Sequence, residues 1–163
     1  MPSEDVKFNS TIGVISDTHG MLRPEVSRIF KGVDIIVHAG DVGGIDILNS
    51  LESIATVTAV HGNMDSGVIA SLLNESETFE FCGYKIHLLH DLSRLAIDPQ
   101  TMGVHIVISG HSHLPDVFEK NGIVYLNPGS AGPKRSNKPI SVSKITIQDG
   151  LLQPIHVHLE EIN

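Results

Sequence analysis

Short apolar runs separated by polar, glycine-rich breaks dominate this chain. Ten of the runs are too short for an ordinary helix and rich in β-branched residues: Ile12–Ile15, Asp34–His38, Ala55–Val60, Phe79–Phe81, Lys85–Leu89, His105–Ile108, Val117–Glu119, Ile123–Leu126, Ser141–Ile147 and Leu151–His158. Each is predicted as a strand. Two segments carry a helical pattern instead: Pro24–Phe30, with proline at its start, and Ile45–Leu51, after the Gly43-Gly44 pair. Strand–helix alternation in the first half predicts parallel pairing with helices laid over the sheet. In the second half, Cys82-Gly83, Asn121-Gly122 and Asp149-Gly150 each fall between strand runs, where tight hairpins turn. Antiparallel pairs are expected there. The sum is an α/β fold of two packed sheets flanked by helices.

The polar residues are concentrated where strands stop. Ile12–Ser16 runs into Asp17-Thr18-His19-Gly20, and Asp34–Ala39 into Gly40-Asp41. Ala55–Val60 leads to His61-Gly62-Asn63-Met64-Asp65, Ile86–Leu89 to His90-Asp91, and Val104–Ser109 to Gly110-His111-Ser112-His113. Ligands of open α/β sheets collect beyond the carboxyl ends of the strands, so five such motifs predict one shared site. Residues two apart in extended chain point the same way, which lets Asp17 and His19 grip one ion together. Imidazole mixed with carboxylate suits Mn, Fe, Zn or Ni better than the all-oxygen shells of Mg or Ca.

Composition narrows the partners. The chain has 163 residues, 40% hydrophobic and 18% charged, enough for one core and ordinary for a globular protein. Trp is absent and aromatics are only 4%, so packing must rest on Ile, Val and Leu. A net charge of −8 argues against stable nucleic-acid binding, the only basic cluster being Lys134, Arg135 and Lys138. An acidic chain can still act on phosphates when bound metals supply positive charge. The single Cys82 excludes an internal disulfide. With no apolar run able to span a bilayer and no signal core, no membrane contact and a cytoplasmic location are expected. The reading is of one domain over residues 1–163, with 1–10 as a short N-terminal extension.

The ordered set D-x-H, G-D, G-N-x-[DE], H and G-H-x-H resembles the calcineurin-like metallophosphoesterase superfamily, and most closely its small, single-domain bacterial and archaeal phosphodiesterase branch. The likeness runs from Ile12 to about Arg135 and includes Asn127-Pro128-Gly129-Ser130. It implies a four-layer α/β/β/α sandwich of two mixed sheets, and two divalent transition-metal ions (Mn, Ni, Zn or Fe) as cofactors. By matching position it implies Asp17, His19, Asp41 and His113 as ligands of one ion. Asp41, Asn63, His90 and His111 would hold the second, with Asp41 bridging. Asn63, His90 and Asp41 are the expected catalytic residues. A metal-activated water would attack a small phosphodiester, with Asn63, Gly129, Ser130 and Arg135 as candidate substrate contacts.

Two positions depart from the family pattern. Larger members place a leaving-group acid, a histidine, where this chain has Met64, and the residue after the His90 ligand is usually Gly rather than Asp91. Other polar residues have plainer readings: Asp65 as a turn or capping residue, His38 as a buried hydrogen-bonded group, His61 as a loop residue or substrate contact. His87 and His105 read as strand residues, and His156 with His158 as one solvated face. The alternative function is a non-catalytic protein-binding scaffold of the same fold, as in the retromer subunit with degraded ligands. A His-x-His zinc hydrolase barrel would need about 250 residues. Association between copies is left open.

Overall fold

β1 (Asn9–Ile15) buries Ile12, Val14 and Ile15 completely, and the first sheet grows outward from it on both sides. The computed structural model describes residues 9–159. The expected extension at 1–8 lies outside the described residues, while Asn9 and Ser10 already pair in β1. On one side β1 pairs in parallel with β2 (Ile35–His38), and β2 with β3 (Thr56–Ala59). The crossovers carry α1 (Pro24–Ile29) and α2 (Ile45–Glu52). On the other side β9 (Ser141–Gln148) runs antiparallel to β1, and β10 (Leu151–His158) antiparallel to β9.

α3 (Gly67–Leu72) then leads into a second sheet, built from β4 (Ser76–Phe81), β5 (Tyr84–Leu89), β6 (Ile106–Ile108), β7 (Pro115–Lys120) and β8 (Ile123–Pro128). Its order is β4-β5-β6-β8-β7. The β4–β5, β7–β8 and β9–β10 hairpins turn where the sequence placed them. Both turn residues have positive φ in each: Cys82 and Gly83 at 49° and 82°, Asn121 and Gly122 at 52° and 77°, Asp149 and Gly150 at 51° and 76°. That is the turn whose twist matches paired strands. Two features were not anticipated. β5, β6 and β8 pair in parallel within the hairpin-rich half, and α3 forms on a short segment with a single buried residue, Ile69.

The period of two along β1 distributes its side chains between two cores. Ile12 and Val14 face the second sheet, meeting a layer that includes Ile86, Leu88, Ile106, Ile108 and Leu126. Ile15 joins the helix-side core with Phe30, Ile47, Leu51 and Ile69. Gly13 lies under α1, where a Cβ would sit 3.0 Å from the Phe30 ring. The two mixed sheets therefore stack face to face, with α1, α2 and α3 against the first, consistent with the expected α/β sandwich. On the outer face of the second sheet, the segment with a 3₁₀ turn at Leu92–Arg94 covers Leu89, Val104, Val107 and Ile123. Among the described residues, no helix is long and apolar enough to cross a membrane.

Candidate metal centre

Five strand ends meet at one rim, and backbone hydrogen bonds lash their loops together. Asp17 N donates to Gly40 O (3.0 Å), His19 N to Asp41 O (2.9 Å), Gly110 N to His90 O (2.9 Å) and Ala131 N to Ser16 O (3.1 Å). The turns are tight. Asp17, His19, Asp41, His111 and His113, five of the seven expected ligands, have φ of 55°, 46°, 52°, 72° and 62°. Such conformations are uncommon for non-glycine residues and persist where surrounding structure holds them. Two glycines are required by close approach. A Cβ on Gly62 would lie 2.2 Å from Asp41 Oδ1, and one on Gly110 would lie 2.0 Å from Ser16 Oγ.

Each carboxylate has one oxygen held by the protein and one turned to the cluster. Asp17 Oδ2 accepts from Ser16 Oγ (2.7 Å) and His111 N (3.1 Å). Asp17 Oδ1 lies 3.2 Å from His113 Nε2, 3.8 Å from His19 Nε2 and 3.9 Å from His90 Nε2. Asp41 Oδ1 accepts from Met64 N (2.8 Å), while its Oδ2 stands 3.2 Å from His90 Nε2 and 3.8 Å from His19 Nε2. On the far side, Asn63 Oδ1 is 3.0 Å from His90 Nε2 and 3.2 Å from His111 Nδ1. His90 Nδ1 contacts Ala39 O at 2.7 Å, which makes that nitrogen the N–H donor and turns Nε2 to the cluster.

This donor set fits metal ions. The atoms offered by Asp17, His19 and His113 lie within 4.8 Å of one another, as do those of Asp17, Asp41 and His90. Asp17 Oδ1 and His19 Nε2 are buried yet have no hydrogen-bond partner, a costly state that a shared cation relieves. Electrostatics agree. Burial acts to raise the Asp17 pKa, but His113, Ser16 and His90 outweigh it and hold the carboxyl below its usual value. Asp41 behaves alike: burial is outweighed by His90 and the Met64 N–H. Burial likewise opposes a charge on His90, but Asp41, Asp17 and the Ala39 carbonyl prevail and raise its pKa. Two buried anions thus hold their charge between imidazoles.

Residues around the ligands sort by contact. Arg135 and the exposed Met64 line the cavity mouth with His19, Asp41, Asn63, His111 and His113. Gly129 and Ser130, expected as substrate contacts, follow β8 and are tied within the protein. Gly129 N donates to Asn127 Oδ1 (2.9 Å), and the buried Ser130 hydroxyl donates to Asp17 O (3.1 Å), so both brace loops. Asp91 sits at φ −113°, open to any residue, so replacing the family's glycine imposes no strain. Its Oδ1 accepts from Ser93 N (3.0 Å), and its Oδ2 faces His111 Nε2 at 3.8 Å. Asp65 is a clamp, accepting from Val42 N (3.1 Å), Gly43 N (3.0 Å) and Gly62 N (2.9 Å).

His38 is fully buried behind the site. Its Nδ1 accepts from Gly40 N (3.1 Å), so Nε2 carries the proton toward Thr18 Oγ1 (2.9 Å), which donates to Val42 O (2.8 Å). Burial lowers its pKa to about 4. His87 and His156 bond to Thr78 and Ser143 across their strand pairs, and Cys82 is exposed in its turn. His61 lines a separate cavity beside Asn63 and His90. Sequence reasoning missed Ser16, Thr18 and Asn127, whose Nδ2 donates to Gly110 O at 2.8 Å. The first two immediately flank Asp17, and the third opens the Asn-Pro-Gly-Ser motif.

Comparison with known proteins agrees with this geometry. The calcineurin-like phosphoesterase superfamily domain matches residues 11–150. A protein named a probable metallophosphoesterase, from Methanocaldococcus jannaschii, is 38% identical over 154 residues, covering 86% of this chain and 77% of that protein. Two solved structures share the fold. A novel archaeal phosphodiesterase superposes with a TM-score of 0.76 at 21% identity, covering 90% of this chain and 99% of that one. Vacuolar Protein Sorting 29 from Cryptosporidium parvum gives 0.75 at 22% identity, covering 93% and 98%.

Proposed function

The chain belongs to the calcineurin-like phosphoesterase superfamily, and from that premise we propose that it is a phosphodiesterase working with two divalent transition-metal ions. The observation that carries the reading is the pair of carboxylates with one oxygen each fixed by the protein and the other turned into a cluster of imidazole nitrogens. Asp17, His19, Asp41 and His113 would hold one ion, and Asp41, Asn63, His90 and His111 the other. Asp41 Oδ2, 3.8 Å from His19 Nε2 and 3.2 Å from His90 Nε2, supports giving Asp41 the shared position. Bound there, the ions supply Lewis acidity, polarising phosphoryl oxygens and lowering the pKa of water.

The chain's own residues do the rest. Asn63 turns its carbonyl oxygen to His90 and His111, which leaves its amide nitrogen as a donor for a phosphoryl oxygen. Arg135 at the mouth offers a planar fork to the phosphate. Ser16 and the His111 N–H keep Asp17 in one orientation, and Met64 N does so for Asp41. The side chain of Met64 carries no titratable proton, so esters with good leaving groups are the better substrates.

The fold likeness to Vacuolar Protein Sorting 29 supports a second reading, a protein-binding scaffold. It ranks below the enzyme because all seven ligand positions hold metal-binding residue types. Chelation separates the two readings. The enzyme falls silent toward bis(p-nitrophenyl) phosphate and revives with Mn or Ni. A purified chain that binds metal yet cleaves neither mono- nor diesters contradicts catalysis.

A further inference from the structure

Beyond the metal centre, the outer face of the second sheet carries a groove of ≈ 570 Å³ that begins at His111 and runs along β7 and β8 to Phe118 and Tyr125. Asp91, Leu92 and Asn127 also line it. Phe118 and Tyr125 are register partners across the hairpin. Their rings stack 4.9 Å apart at 2°, giving a flat apolar wall. Phe118 keeps 42% of its surface exposed. The chain has only five Phe, two Tyr and no Trp, so two of its seven aromatic side chains stand together on this wall.

We propose that this groove is the subsite for the organic group of the substrate, and that it selects a planar ring of nucleobase size carried on a single phosphate. The inference rests on the phosphoesterase reading. Three features support it. The groove shares His111 with the cavity at the metal centre, so it is open to the ester group of a phosphate held there. Its volume falls within the roughly 300–1,000 Å³ of small-ligand sites. Its lining, moreover, has the polarity a base requires. A stacked aromatic wall takes the ring face, while the carboxylates of Asp91 and Asp116 line the groove as acceptors for ring N–H and exocyclic amine groups. Both carboxylates also repel a second phosphate, which limits the occupant to one.

The test is calorimetric titration of the manganese-loaded chain with adenosine 5′-monophosphate and with methyl phosphate. The expected result is that the nucleotide binds about tenfold more tightly, the order expected for one base stacked on an aromatic ring. Phe118→Ala should remove that preference without altering methyl phosphate binding, and Phe118→Tyr should keep it. Equal binding of the two probes by the unmodified chain, or equal weakening of both by Phe118→Ala, overturns the proposal. So does conversion of a dimer to a monomer by Phe118→Ala in sedimentation, which would assign the face to a second copy. A kinetic arm separates this subsite from the activity. If methyl p-nitrophenyl phosphate and the p-nitrophenyl ester of thymidine 5′-phosphate are cleaved with equal kcat/KM, the subsite fails and the phosphodiesterase stands. If neither is cleaved but the nucleotide preference persists, the activity fails and the subsite stands.

Discussion

Met64 and His38 show how much one residue decides at this site. Met64 puts an exposed thioether at the cavity mouth, where larger relatives carry a histidine that protonates the leaving group. A positioned acid contributes roughly 10²–10⁴-fold, and its absence should make rates fall steeply as the leaving group becomes more basic. A series of aryl and alkyl diesters measures this. Rates insensitive to leaving-group basicity, with chemistry limiting, would show that another residue supplies the proton, and His61 beside Asn63 is the one to replace. His38 predicts a pH effect on stability. Its folded pKa of about 4 lies below the ordinary 6.5. Between those values the unfolded chain binds a proton that the folded chain does not, so stability falls as pH falls through the window. The contribution, fully present above pH 6.5, is about 3 kcal/mol by linkage. Denaturant unfolding from pH 7 to 4 should show a shallower loss in His38→Gln than in the parent; equal slopes would contradict it.

At the scale of elements, the site depends on loops being tied to each other as much as to their strands. Asp65, in the loop after β3, holds the backbone of the loop after β2 through Val42 and Gly43, and its own loop through Gly62. Asp65→Ala leaves three N–H groups without that acceptor and should cost about 1–3 kcal/mol. It should also weaken metal binding, because Asp41 and Asn63 lie on the two loops it joins. Thermal melting with and without added Mn reads both effects, and an unchanged metal-induced shift would contradict the coupling. Much of this scale was legible in advance. Alternating β-branched runs marked all ten strands, and X-Gly pairs marked the hairpins. The parallel β5–β6–β8 core was not, because pairing between distant strands leaves no local trace. α3 was hidden because six residues with one buried position carry no periodicity.

The whole molecule explains why the chemistry was legible and the substrate was not. Two sheets stacked face to face bring the ends of β1, β2, β3, β5 and β6 to one rim, so candidate ligands far apart in sequence appear as motifs after apolar runs. Asp17 and His111, 94 residues apart, meet at 3.1 Å through a single N–H bond. Substrate contacts had no such signature. Gly129 N is bound to Asn127 and the Ser130 hydroxyl to Asp17 O, and the proposed contacts Phe118 and Tyr125 belong to no motif. The central claim is a two-metal centre joined by Asp41. The most direct measurement is the metal-to-protein ratio of the manganese-loaded chain and its Asp41→Asn variant, read alongside diester hydrolysis. The account predicts two ions per chain in the parent, and loss of metal and activity together in the variant. A variant that retains two ions and near-normal turnover would contradict it.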